Sequence, residues 1–274
     1  MLLGREINIE VSVRMLAFMV LMVIPVVSIA QQQGLVLYLP LNEGSGDTAN
    51  DQSGKGNVGK LFGGPMWVAG KNGSGVYLDG KDDYIEIPGS VLTKEGTIEF
   101  WFKPDWNGDD DEDFRIFDAS LGGIYFFIAK GADHADINPQ DFGFYFEDAS
   151  DADWQDIEFN PADIIKAGQW YHIAATWKFG GGKAFLYLNG EQIATSPNIL
   201  GAFPALNPNP RFGLEVIEYV PSKHGATGVI DDIAIYNRAL IVDEVAADML
   251  QLGFAVKRTK DKATSTWGHV KNTH

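Results

Sequence analysis

Three aspartates crowd one short stretch, YLDGKDDYIEIP at residues 77–88: Asp79, Asp82 and Asp83. Carboxylates so spaced have two chemistries open to them. Between two apolar-alternating runs they build turns, because Asp accepts from nearby backbone N–H groups and Gly takes positive φ. Grouped oxygens are also what a hard divalent cation takes as ligands. A second acidic position lies in the run IDDIAIY, where Asp231 shares strand parity with Ile233 and Ile235. Isoleucines packed in a core would carry Asp231 inward with them. A carboxylate buried there requires backbone N–H groups, a basic side chain or a cation beside it. The loop NEGSGDTANDQSGKGNVGK supplies Asp47, Asn50, Asp51 and Asn57, an oxygen set that suits Ca²⁺ rather than Zn²⁺ or Mg²⁺. The acids of PDWNGDDDEDF (Asp105, Asp109, Asp110, Asp111, Glu112 and Asp113) read as a solvated loop. The five histidines form no i,i+4 pair and no ligand cluster.

Parity also sorts a set of aromatic and polar residues. In TIEFWFKP, Ile98, Phe100 and Phe102 alternate with Glu99, Trp101 and Lys103. The same reading puts Tyr145, His172 and Tyr187 on the outward side of their strands. On one sheet, Glu99, Trp101, Tyr145, His172 and Tyr187 would make a stripe for sugar C–H faces to stack on, with polar groups fixing orientation. The competing use of such a stripe is packing for the sheet's own stability. Catalysis has less to stand on. Trp101 and Lys103 occupy the places where a second carboxylate would partner Glu99. The chain also carries no Gly-x-Ser-x-Gly elbow and no phosphate-binding loop.

The elements that must position these residues are strands. LVLYLPL, GVYLD, YIEIP, TIEFWFKP, IYFFIAK, FGFYFED, WYHIAATW and GVIDDIAIY are short apolar runs separated by Gly-rich turns. Asn189-Gly190 within AFLYLNGEQIAT marks a hairpin, since a type I′ turn needs positive φ twice. One helix is expected near residues 241–251, with Val245, Met249 and Leu252 inward. This pattern predicts an all-β, two-sheet antiparallel sandwich with one short C-terminal helix. Residues 1–30 read as a signal peptide: Arg14, an apolar run, then Ser28 and Ala30 at the cleavage positions. One domain then covers 31–252, and a basic tail covers 253–274. The chain has 274 residues, 45% of them hydrophobic, and no cysteine, which excludes disulfides and thiolate chemistry. Its net charge of −16 disfavours nucleic acid and anionic membranes as partners. An exported protein, secreted or held at the cell surface or in the periplasm, is expected, with no membrane insertion after cleavage.

Six stretches in order, LYLPLNEGSGDTANDQSGKGNVG, YLDGKDDYIEIP, TIEFWFKP, GQWYHIAATW, LYLNGEQIA and GVIDDIAIYNRAL, resemble the laminin-G-like jelly roll of the concanavalin A-like lectin/glucanase superfamily in its bacterial secreted form. The resemblance covers about 220 residues. It implies two curved antiparallel sheets, and a binding or adhesion role toward polysaccharide or a cell-surface glycan or protein. The alternative it carries is a glycan-active hydrolase. It further implies a structural Ca²⁺ held by Asp231 with Asp47, Asp51 and Asn57. Ile241 stands where relatives often carry a capping Ser, so the helix start lacks half of a capping box.

Overall fold

The computed structural model describes residues 33–131, 138, 140–150, 154–216 and 225–251. The expected signal peptide and basic tail, and Leu252, lie outside the described residues. The chain divides into two compact units after Gln33, and the described strands lie in the second. In chain order the strands are β1 (Leu35–Leu39), β2 (Thr48–Ala49), β3 (Gly59–Phe62), β4 (Met66–Ala69), β5 (Ser74–Asp79), β6 (Tyr84–Glu86), β7 (Glu95–Pro104) and β8 (Phe114–Asp118). They continue as β9 (Phe126–Lys130), β10 (Phe142–Phe146), β11 (Gln155–Phe159), β12 (Tyr171–Lys178), β13 (Phe185–Leu188), β14 (Glu191–Thr195), β15 (Arg211–Phe212) and β16 (Thr227–Tyr236). Helix α1 (Val242–Gln251) follows.

These strands form two antiparallel sheets. The first runs β14-β13-β12-β7-β16-β5-β4, with β1 also paired to β16; the second runs β11-β10-β9-β8-β15-β6-β3-β2. Their inner faces make one core. Ile98, Phe100 and Phe102 of β7 point into it, as period-two alternation dictates. Rings cross the gap edge to face: Phe100 meets Phe212 at 5.6 Å and Phe126 meets Trp177 at 5.2 Å. The architecture is the expected all-β two-sheet sandwich, and the hairpin turn is as read, with φ of 52° at Asn189 and 80° at Gly190.

Several elements differ from expectation for local reasons. Strand β8 (FRIFD) was hidden because its register slips between Arg115 and Phe117, so Ile116 and Phe117 both enter the core and the alternation breaks. The acidic loop at 105–113 is not merely solvated. It folds over Lys130, whose buried ammonium donates to the carbonyls of Asp110 and Glu112. Helix α1 buries Val245 as expected, but its other buried residue is Asp248. Half a capping box survives at its start: the Glu244 carboxylate accepts from Ile241 N–H at 3.1 Å and from Arg238 at 2.7 Å.

Candidate functional site

The outward stripe expected on the first sheet is assembled but closed. Trp101 lies opposite His172 across β7 and β12, and Ala174 separates Glu99 from Tyr187 in the same register. The indole of Trp101 meets the His172 ring at 5.4 Å, and Lys71 Nζ sits 4.0 Å from the Trp101 ring centre. Yet Glu99 and His172 are 0% exposed, Tyr187 3% and Trp101 7%. Val245 of α1 packs with Tyr38, Ala174, Tyr187, Ala234, Tyr236 and Leu240 on this face. Tyr236 donates to Asp248 of the helix at 2.7 Å. Tyr187 and Glu99 therefore seat the C-terminal helix, and Trp101 and His172 pack on each other with Lys71 over the indole, so none of the four is an open sugar platform. Burial drives His172 down to about 3 and keeps it neutral. Burial, then the neighbouring Asp248 carboxylate, holds Glu99 well above the usual carboxylate range. The 3.7 Å His172–Glu99 approach is accordingly a contact between neutral groups. Tyr145, the fifth residue, lies on the other sheet.

The expected calcium ligands do not converge. A bulge separates Asp231, opposite Trp101, from Ala234, opposite Glu99. Asp232 takes up the extra residue with φ of 50°. Parity therefore flips across the bulge. Ile230, Ile233 and Ile235 all face the core, and Asp231 pairs with Trp101 on the outward face, buried nonetheless. Its oxygens accept from the backbone N–H groups of Asp232 (2.8 Å) and Asn72 (2.9 Å). Asp232 accepts from Tyr38 Oη (2.7 Å) and Asn72 Nδ2 (2.8 Å). Burial, then the Asp232 charge, pushes Asp231 up to about 8. Asp51 is committed elsewhere. It accepts from the N–H groups of Tyr38, Ser53 and Asn57 and from the Ser53 hydroxyl, pinning its own loop. Burial alone would raise Asp51, but these donors outweigh it and hold it low. Asn57 Nδ2 donates to Val36 O, and Asp47 is exposed beside Thr48. The set Asp47, Asp51, Asn57 and Asp231 thus does not fit a calcium ion.

The opening stretch is a turn. Asp79 accepts from Lys81 N–H at 2.9 Å, and Asp83 accepts from Asp79 N–H at 3.2 Å. Among the described residues only Asp79, Asp82 and Asp83 bring three carboxylates within 4.8 Å of one another.

The outward face of the second sheet holds a constellation that strand parity did not reveal. Tyr145 donates to Glu158 at 2.9 Å, and its ring lies over Gly143, where any Cβ would meet the ring at 2.6 Å. Trp154 stacks above it at 6.2 Å and Phe127 lies beside it at 5.0 Å. On the next strand the Arg115 guanidinium covers Phe127 at 3.6 Å. Further along the sheet, Arg211 lies 4.3 Å from the Tyr84 ring, and Tyr84 stacks on Phe62 at 4.9 Å. Phe62 is 38% exposed. Arg211 faces Asp118 on one neighbouring strand and Glu86 on the other, and Glu86 faces Lys60. A solvent-reachable ring pair flanked by charged hydrogen-bonding groups is a surface for an amphipathic ligand. The signal was present in KLF, YIE and PRF, but strands of two to four residues are too short for period-two reading.

Two stacked antiparallel sheets with a helix closing one outer face define a jelly-roll β-sandwich. A laminin-G-like family model, described as the concanavalin A-like lectin/glucanases superfamily, matches residues 79–246, and the chain belongs to that family. No curated protein matches the chain. Among solved structures it is similar to domain 4 of AbnA, a GH43 extracellular arabinanase from Geobacillus stearothermophilus, in complex with arabinotriose. That likeness has TM-score 0.59 at 18% identity and covers 78% of this chain and 97% of that one. It is also similar to the botulinum neurotoxin serotype D binding domain, with TM-score 0.61 at 14% identity, covering 80% of this chain and 52% of that one. A third likeness is the binding domain of botulinum neurotoxin DC in complex with SialylT, with TM-score 0.62 at 14% identity, covering 81% and 52%. This chain thus spans about half the length of the toxin chains.

Proposed function

We propose that this chain is an exported, non-catalytic binding module that engages a glycan, on a polysaccharide or at a cell surface, through the outward face of its second sheet. The observation that carries the reading is the half-open stack of Phe62, Tyr84 and Arg211 beside Glu86 and Lys60. Aromatic rings present an apolar face to sugar C–H groups, and the flanking side chains hydrogen-bond hydroxyls. The arabinotriose and SialylT complexes of its structural neighbours support a glycan as ligand class. The non-catalytic part of the reading has its own support. Glu99, the carboxylate of the central strand, is sealed beneath α1 and cannot meet a substrate there. Export rests on the pattern of residues 1–30.

Glycan-array binding is the test. Wild-type protein is expected to bind a defined set of glycans, and Phe62→Ser and Tyr84→Ala to lose about tenfold or more in affinity with unchanged melting. Trp101→Phe, altered in the buried outer face of the first sheet, is expected to leave binding intact. Loss in Trp101→Phe with retention in Phe62→Ser would return the ligand to the first sheet and end this reading.

A further inference from the structure

The geometry points to Arg115 and Arg211 as the paired polar readers of this face, and to a neutral, hydroxyl-rich glycan as the ligand class they read. This inference rests on the glycan-binding reading and adds the chemistry of the ligand to it.

The two guanidinium groups flank the same residues. Arg115 approaches Asp118 at 3.8 Å and the Glu215 carboxylate at 3.9 Å, while Arg211 donates to the Glu215 carbonyl at 3.2 Å. Each sits over a ring, Arg115 on Phe127 and Arg211 on Tyr84, which restricts the directions its donors can take. Each also keeps a buried nitrogen with no hydrogen-bond partner: Nη1 of Arg115 and Nε of Arg211. The Arg115 side chain is only 11% exposed, so this is a desolvated donor awaiting an oxygen. Two oriented, unsatisfied donors on one face mark a place where ligand oxygens belong.

The charge balance selects among oxygens. Lys60, Arg115 and Arg211 are matched along the row by Glu86, Asp118 and Glu215. The whole chain carries −16. An acidic sugar would meet no net positive potential here and would be repelled at longer range. Sugar hydroxyls suit the site, because they accept from guanidinium N–H and donate to carboxylate in the same contact.

Affinity electrophoresis of the purified chain in gels cast with polysaccharide tests this. The neutral gels hold arabinan, xylan, mannan or β-glucan; the acidic gels hold polygalacturonate, alginate or carrageenan. Retardation is expected in at least one neutral gel and in none of the acidic ones, equally at about 50 mM and about 500 mM NaCl. Arg211→Lys and Arg115→Lys, which keep the charge but lose the planar fork, are each expected to weaken binding about tenfold. Melting curves identify any variant that fails to fold, and the more open Arg211 position decides should Arg115→Lys be such a case. Retardation by acidic gels alone, abolished by salt, would overturn the neutral-glycan inference and leave the binding module standing. Folded Lys variants that bind like wild type would overturn the arginine assignment. A folded wild type retarded by no gel would overturn this inference and the glycan reading with it.

Discussion

At the scale of single residues, the acids of this chain build structure. Asp51 shows it best: one carboxylate accepts three backbone N–H groups and a hydroxyl, closing the loop that follows β1. Hydrogen bonds to a charged acceptor contribute about 1.5–3 kcal/mol each at most, and a loop amide exposed to water on mutation recovers part of that. Asp51→Ala is therefore expected to cost on the order of 2–3 kcal/mol in denaturant unfolding, with Asp47→Ala near zero. Because the Asp51 and Asp231 oxygens are taken by N–H and hydroxyl donors, and no cluster of three carboxylates among the described residues includes them, EDTA and millimolar Ca²⁺ are expected to give superimposable melting curves for the wild type. A calcium-dependent rise lost in Asp231→Asn would restore the ion to that position. The residue types were legible in the sequence, but Asp231's side of the sheet was not. One inserted residue at Asp232 reverses parity, and nothing in IDDIAIY announces the bulge.

At the scale of elements, legibility followed length and turn chemistry. The ten-residue β7 and the Asn189-Gly190 hairpin were readable because their patterns are local. Strands β8 and β11 were not, the first broken by a register slip and the second set in an acidic stretch. Helix α1 was expected, but not its use. Its buried Asp248 and Val245 close over Glu99 and Tyr187, converting part of an apparent binding stripe into an internal interface. The start of this helix depends on Glu244, whose carboxylate is held low chiefly by the Arg238 hydrogen bond. Glu244→Ala removes both that bond and the return half of the capping box, and about 1 kcal/mol of stability is the expected loss. Glu244→Gln should recover part of it through the Ile241 N–H. Equal stability of all three proteins would mean that α1 is held by Val245 and Asp248 alone.

At the scale of the whole molecule, the buried groups around α1 and β16 set how stability varies with pH. Glu99 and Asp231 hold protons in the folded chain that an unfolded chain releases above about pH 4. Over that interval the native state binds more protons, so stability falls as pH rises, for Asp231 until about 8. His172 acts with the opposite sign. Its folded value is about 3, whereas the unfolded imidazole takes a proton below 6.5, so its contribution is lost as pH falls through that range. Within about one unit above pH 6.5 the unfolded imidazole also becomes neutral and this opposing slope fades. The carboxyls then act alone, each held proton changing stability by on the order of 1 kcal/mol per pH unit. The melting temperature is therefore expected to drop by a few degrees between about pH 6.5 and pH 8. Glu99→Gln, neutral at every pH and close in shape, is expected to reduce the drop, and Asp231→Asn to reduce it further. Below pH 6 the two variants should still lose stability on acidification, because His172 is intact. A melting temperature that stays level or rises from pH 6.5 to pH 8 would show that Glu99 and Asp231 are ionised in the folded chain. The neutral interface beneath the helix would then be wrong.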